Sequence, residues 1–200
     1  MMKPGHLERL SLWLCAAALA LSASAVSAQQ STSEEEPDTL ILSDTLNYND
    51  ATKESTFTGN VVMTRGLMTL HADTLVMRED AEGFQHGVAT VSGPNKRVNV
   101  RQENPEKFEV IEAEGLRGEY NGKTDEIEMI GQAVVTKYVC GKALDTIRGE
   151  RVKYNQSTTV YQAFGGPQSS AQGGRVRSLA TPSAKTDAAI EACRRKSTNG

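Results

Sequence analysis

The sequence predicts an all-β fold built from repeated antiparallel strands, and three observations carry that expectation. From Leu40 to Phe164 the chain is rich in Val, Ile, Thr, Tyr and Met, in short runs broken by Gly, Asn, Asp and Pro. No window of that region holds a sustained helical stripe. One unit also recurs: Tyr48-Asn49-Asp50-Ala51-Thr52, Tyr120-Asn121-Gly122-Lys123-Thr124 and Tyr154-Asn155-Gln156-Ser157-Thr158 each place Asn directly after Tyr and Thr four residues after it. A glycine follows eleven residues after each tyrosine, at Gly59, Gly131 and Gly165. Such units cannot bury an apolar face alone and share one core when stacked.

The elements follow in order. Residues 1–28 read as a secretory signal: Lys3 and Arg9 are basic, Leu10 to Leu21 is apolar, and small residues run from Ser22 to Ala28. The apolar run is too short to span a bilayer, and Val26 and Ala28 suit cleavage before Gln29. The rival reading, a lipid anchor at Cys15, has a poor lead-in because Trp13 is bulky. Residues 29–39, with Glu34-Glu35-Glu36, form a polar lead-in expected to be disordered. Residues 40–166 form the β domain. Residues 167–200, of low complexity, are expected to be a disordered basic tail with one short, loose helix over Thr186 to Lys196.

Within the β domain a second element, small residue–acid–any–aliphatic, appears at Ser43-Asp44-Thr45-Leu46, Ala72-Asp73-Thr74-Leu75, Ala113-Glu114-Gly115-Leu116 and Gly149-Glu150-Arg151-Val152. Side chains two apart share a strand face, which puts Leu46 with Tyr48, Leu75 with Met77 and Val152 with Tyr154. The Asn and Thr side chains then serve the turn backbone, Asn121-Gly122 being suited to positive φ, and Gly59 allows the next strand to bend. The strands around Ser92-Gly93-Pro94-Asn95 alternate in the same way.

Charge is unevenly spread. Residues 29–167 hold 14 Lys and Arg against 22 Asp and Glu, and residues 168–200 hold 6 against 2. An acidic body argues against a nucleic-acid grip. The repeated acids Asp44, Asp73, Glu114 and Glu150 occupy equivalent places, where corner residues belong rather than a carboxylate pair for glycoside chemistry. His71 and His86 have no ligand cluster at metal spacing, and no serine or cysteine sits in a nucleophile motif. The expectation is a non-enzymatic protein without metal or cofactor. Cys140 and Cys193 remain after cleavage, in a compartment that permits disulfides. Either they pair, or Cys140 is a strand residue and Cys193 lies free in the tail.

What remains is an apolar inner face, expected to comprise Leu46, Tyr48, Phe57, Val61, Met63, Leu75, Met77, Val100, Leu116, Tyr120, Met129, Val134, Val152 and Tyr154, with Leu70, Phe108 and Ile147 beside them. Its methionines suit an adaptable surface, and the array has no evident capping segment, which leaves strand edges open to partners.

The Tyr-Asn-x-x-Thr turn, the Phe57-Thr58-Gly59-Asn60-Val61-Val62 run and the Ala72-Asp73-Thr74-Leu75 unit resemble the OstA-like repeat family over roughly Leu40 to Gly166. The resemblance implies a twisted β-jellyroll open along one side. It implies a groove that holds the lipid A acyl chains of lipopolysaccharide, and a periplasmic bridge for lipopolysaccharide between the inner and outer membranes. The partners it implies are an LptC-like protein anchored in the inner membrane, an LptD-like translocon in the outer membrane, and further copies of the chain joined head to tail. The competing reading is a closed-core adaptor that assembles by strand edges and carries no lipid.

Overall fold

The computed structural model describes residues 37–198. The expected signal peptide (residues 1–28) and residues 29–36 of the expected lead-in lie outside the described residues. Twelve strands form one antiparallel sheet: β1 (Thr39–Leu42), β2 (Thr45–Asn49), β3 (Glu54–Arg65), β4 (Met68–Glu79), β5 (Gln85–Thr90), β6 (Val98–Asn104), β7 (Glu109–Gly115), β8 (Arg117–Asn121), β9 (Glu126–Val139), β10 (Lys142–Asn155), β11 (Val160–Phe164) and β12 (Arg177–Leu179). One helix, α1 (Ser183–Thr198), follows. This is the β-jellyroll that the sequence predicts.

The sheet is folded into two halves. The first contains β2, the start of β3, the end of β4, then β5, β8, the start of β9, the end of β10 and β11. The second contains β1, the end of β3, the start of β4, then β6, β7, the end of β9, the start of β10 and β12. The four long strands β3, β4, β9 and β10 therefore cross from one half to the other. Strands β1–β6 and β7–β12 also repeat each other: β1 and β2 flank β3 as β7 and β8 flank β9, and β5 and β6 flank β4 as β11 and β12 flank β10.

The crossings sit where the sequence repeat places glycine. The register slips between Thr58 and Val61 on β3, and between Ile130 and Ala133 on β9. Gly59 and Asn60 have φ of 83° and 48°, and Gly131 and Gln132 have φ of 72° and 53°. Two successive left-handed residues bulge the strand and turn it, which a side chain at the first would resist. The repeated acids hold these corners. Asp44 accepts from Asn60 Nδ2 at 2.9 Å, and its own N–H donates to the Gly59 carbonyl at 2.9 Å. Asp73 accepts from Ser92 N, Ser92 Oγ and Lys96 Nζ at 2.7–2.8 Å. Glu150 accepts from Gln168 N at 3.0 Å. Glu114 is different: it lies exposed within β7, opposite Val134.

The three Tyr-Asn turns are built alike. The Asn49 side-chain oxygen accepts from the backbone N–H of Ala51 and Thr52, Asn121 from Lys123 and Thr124, and Asn155 from Thr158. Positive φ does not fall at Asn121-Gly122 as expected. It falls five residues after each tyrosine, at Lys53, Asp125 and Thr159 (φ 50–56°), where a four-residue loop needs a left-handed closing residue.

The expectation of a disordered tail beyond Gly166 is corrected. Ser170 donates from its backbone N–H to the Gly149 carbonyl, and its Oγ donates to the Ala133 carbonyl at 2.6 Å. β12 then pairs with β10. The tail is poor in large apolar residues, but sheet edges are completed by backbone groups, which every residue here except proline supplies in full. Thr186, Ala189, Ile190 and Cys193 form the half-buried stripe of α1. Cys140 and Cys193 are bonded, with sulfurs 1.96 Å apart and Cα atoms 6.1 Å apart, a spacing ordinary for disulfides. Cys140 lies in the β9–β10 turn (φ 53°) rather than in a strand.

Candidate functional site

The inner face is a set of rows running across strands. In the first half-sheet, Leu46, Phe57, Leu75, Ala89, Gly118, Met129, Val152 and Ala163 lie opposite one another in sequence from β2 to β11. One step further from the crossings run Tyr48, Ser55, Met77, Gly87, Tyr120, Ile127, Tyr154 and Tyr161. In the second half-sheet, Ile41, Met63, Leu70, Val100, Ala113, Val135 and Ile147 make the matching row. Directly paired residues project to the same side, so the first and third rows are continuous apolar surface, while Ser55 interrupts the second beside β2.

Near the crossings the two halves meet in one buried cluster. Val61 and Met129 are 1% exposed, Leu75 and Val152 2%, and Met63, Leu70, Val100 and Val135 join them. Further out the halves separate around a cleft of about 970 Å³. Phe57, Met63, Leu75, Met77, Val100, Tyr120 and Met129 of the expected set line it, together with Leu70. Ile41, Met68, Ala89 and Ile127 line it too and were missed, because single apolar residues outside the recurring motifs carry no distinguishing signal.

The other expected residues fall elsewhere. Val61 and Val152 belong to the closed cluster at the crossings. Tyr154 continues its row beyond the cleft and stacks on Tyr161, ring centroids 4.4 Å apart. Burial, then the neighbouring Tyr154, pushes the Tyr161 phenol up to about 12. Leu46 and Tyr48 share the face of Phe57 and Ser55 but stay 58% and 56% exposed, because β2 is an edge strand with no further strand beyond it among the described residues. Phe108 lies in the turn between β6 and β7.

Two inward placements are corrected. Val134 pairs with Arg148 and Glu114, and Val135 takes the buried position opposite Ile147. Val135 keeps step with Met129 and Ala133, so counting by twos from Met129 reaches Val135 even across the Gly131-Gln132 bulge, and Val134 falls on the other face. Leu116 lies over Gly131 between β7 and β8 and is outside the buried cluster.

The second half-sheet changes character toward its C-terminal side. Lys137 lies opposite Ile111, and its Nζ is 2.6 Å from Asp145. Burial alone would raise the Asp145 carboxyl, but Lys137 and the Thr181 N–H hold it below its ordinary value. The apolar surface in that row ends at this ion pair. The cleft sets its apolar surface beside the polar side chains of Thr39, Ser55, Gln85, Gln102 and Gln156 and the charged ones of Asp38, Arg65, Glu119 and Asp125, which offers apolar contact next to polar groups, as an amphiphile requires. No group of three His, Cys, Asp or Glu is placed to hold a metal among the described residues. Nor is any helix there long and apolar enough to cross a membrane.

Comparison with known proteins agrees with this architecture. The family model for LptA and the LptD N-terminal domain, described as an LPS transport protein, matches residues 40–160. No curated protein sequence matches the chain. Among solved structures, the chain is similar to LptH of Pseudomonas aeruginosa, the LptA homologous periplasmic component of its lipopolysaccharide transport device. The TM-score is 0.60 at 22% identity, covering 73% of this chain and 96% of that one.

Proposed function

The chain belongs to the family of LptA and LptD N-terminal-domain lipopolysaccharide transport proteins, and from that premise we propose that it binds lipopolysaccharide in the cleft and bridges the inner and outer membranes. The observation that carries this reading is the set of apolar rows, which line the cleft and, through Phe57 and Leu46, reach the exposed edge of β2. Acyl chains of lipid A lie along the rows while sugars and phosphates stay in water. Each methylene kept from water contributes about 0.8 kcal/mol, so a lipid with several chains does not cross an aqueous space unshielded. Apolar contacts have no fixed geometry, so the lipid moves from one row position to the next. The protein works in the periplasm, exported by residues 1–28. Its strand edges meet an LptC-like partner on the inner-membrane side, an LptD-like translocon on the outer-membrane side, and further copies of itself head to tail.

Photo-crosslinking tests the carrier role. A photoreactive residue at Phe57, Met77 or Tyr120 is expected to give lipopolysaccharide adducts in cells, and one at the outward Thr58 none. Folded protein that gives no adduct from any of the three inner sites sinks the carrier reading and favours the closed-core adaptor.

A further inference from the structure

The C-terminal edge of the sheet has two halves of different origin. β11 follows directly from a tight turn on β10 and is the edge of the first half-sheet. The edge of the second half-sheet is β12, which has three residues and arrives after a twelve-residue connection. So short a strand gains little from its own ladder. Beyond it, the Thr181 N–H donates to Asp145 Oδ1 at 2.7 Å, and Thr181 Oγ1 donates to the Leu144 carbonyl at 2.6 Å. The disulfide from Cys193 to Cys140 then ties α1 back to the β9–β10 turn. β12 is thus held between its entry at Ser170 and a covalent fastening.

The molecule contains a template for what this edge receives. Where its two internal repeats meet, β5 pairs with β8 and β6 with β7. β11 and β12 are the counterparts of β5 and β6, and β2 and β1 are the counterparts of β8 and β7. Repeating the internal junction between molecules places β11 against β2 and β12 against β1 of the next copy. The register follows from the rows: Gly87 opposite Tyr120 becomes Tyr161 opposite Tyr48, and Val100 opposite Ala113 becomes Ser178 opposite Ile41. On the outer face, Leu179 then lies beside Leu40 and Leu42, and these three are 55–59% exposed in the single chain.

We propose that the Cys140–Cys193 disulfide is a redox latch on self-assembly, holding β12 in the position that receives β1 of a second copy. The inference rests on the bridging function proposed above and assigns its regulation. A dithiol reductant opens the latch by thiol–disulfide exchange: two electrons and two protons pass to the cysteines, giving two thiols, and the reductant becomes a disulfide. β12 must then be ordered at each docking event, and association weakens by that cost.

The test compares self-association of the purified chain by sedimentation in three states: oxidised, treated with dithiothreitol, and as the double variant Cys140→Ser, Cys193→Ser. Hydrogen exchange of residues 177–179 is read alongside. Loss of the disulfide is expected to weaken association about tenfold and to speed exchange in β12, with the far-UV spectrum unchanged. Leu179→Lys, which leaves the disulfide in place, is expected to weaken association too. Association that is equal in all states, or undiminished by Leu179→Lys, overturns the latch and leaves the bridge standing. No association even when oxidised overturns both.

Discussion

The crossing at Gly131 gives the most direct check on how the two half-sheets are joined. Gly131→Ala puts a Cβ 2.9 Å from Leu116 Cδ1 and 3.1 Å from its Cβ and Cγ, at a φ of +72°. Left-handed backbone costs an L-residue about 1–2 kcal/mol, and the reduced freedom of the unfolded chain returns about 0.4–1 kcal/mol. Crowding Leu116, whose near atoms cannot swing away, adds about 1–3 kcal/mol. The net loss is about 2–3 kcal/mol, or roughly 5–10 °C in melting temperature for a domain of this size. Gly141→Ala is the control: its φ is +74°, but nothing lies within 4 Å of the added Cβ. It should cost only the backbone part, about 1 kcal/mol net. Thermal denaturation by circular dichroism measures both, and repeating Gly131→Ala in a Leu116→Ala background isolates the contact. If Gly131→Ala is no worse than Gly141→Ala, or the Leu116 background gives no relief, the account of the crossing is wrong.

Three further outcomes follow from the same structure. Val135→Thr buries a hydroxyl among apolar neighbours and should cost about 1–3 kcal/mol, while Val134→Thr on the outer face should stay within about 0.5 kcal/mol; denaturant titration separates them, and equal effects would reverse the assignment of faces. Asp73 is held at about 2 by Lys96 and by the Ser92 N–H and hydroxyl, below its ordinary 3.8. Because the folded value is the lower, this stabilisation is complete above about pH 4 and lost as pH falls toward 2. The melting-temperature gap between wild type and Asp73→Asn should therefore close on acidification, and a constant gap would remove Asp73 from the acid response. Asn121→Ala strips the acceptor from two turn N–H groups and should cost about 1 kcal/mol, whereas Asn121→Asp, which keeps the acceptor, should cost less; urea midpoints decide, and equal losses would mean that the acceptor is not what holds the turn.

Much of this architecture is legible in the sequence because backbone geometry repeats. The Tyr-to-Gly spacing of eleven residues marks the distance from a turn to a crossing, and the acids Asp44, Asp73 and Glu150 recur because each holds a corner. Seven cleft residues can be found by counting in twos from those landmarks. Val134 is read for Val135 because two adjacent valines carry the same apolar signal, although counting in twos from Met129 reaches Val135. Leu116 is misplaced for another reason: its crevice exists only once Gly131 turns the strand. Left-handed residues at Lys53, Asp125 and Thr159 leave no trace, since their identities share no chemistry. The ordered tail is hidden because backbone pairing and a covalent bond across 53 residues hold it, neither of which composition records.

The four long strands have a mechanical consequence. To spread the cleft, all four must flex together, three against corners tied through Asp44, Asp73 and Glu150, and β9 against the Leu116 N–H on the Gly131 carbonyl. Compliance across the opening is therefore low, whereas the rows of the first half-sheet run on to the edge strands β2 and β11. The gauge of the passage is a property of the chain and its capacity is one of length. On the carrier role proposed above, a bulkier cargo is met by occupying more strands, and the same track then serves lipids that differ in the number of their tails.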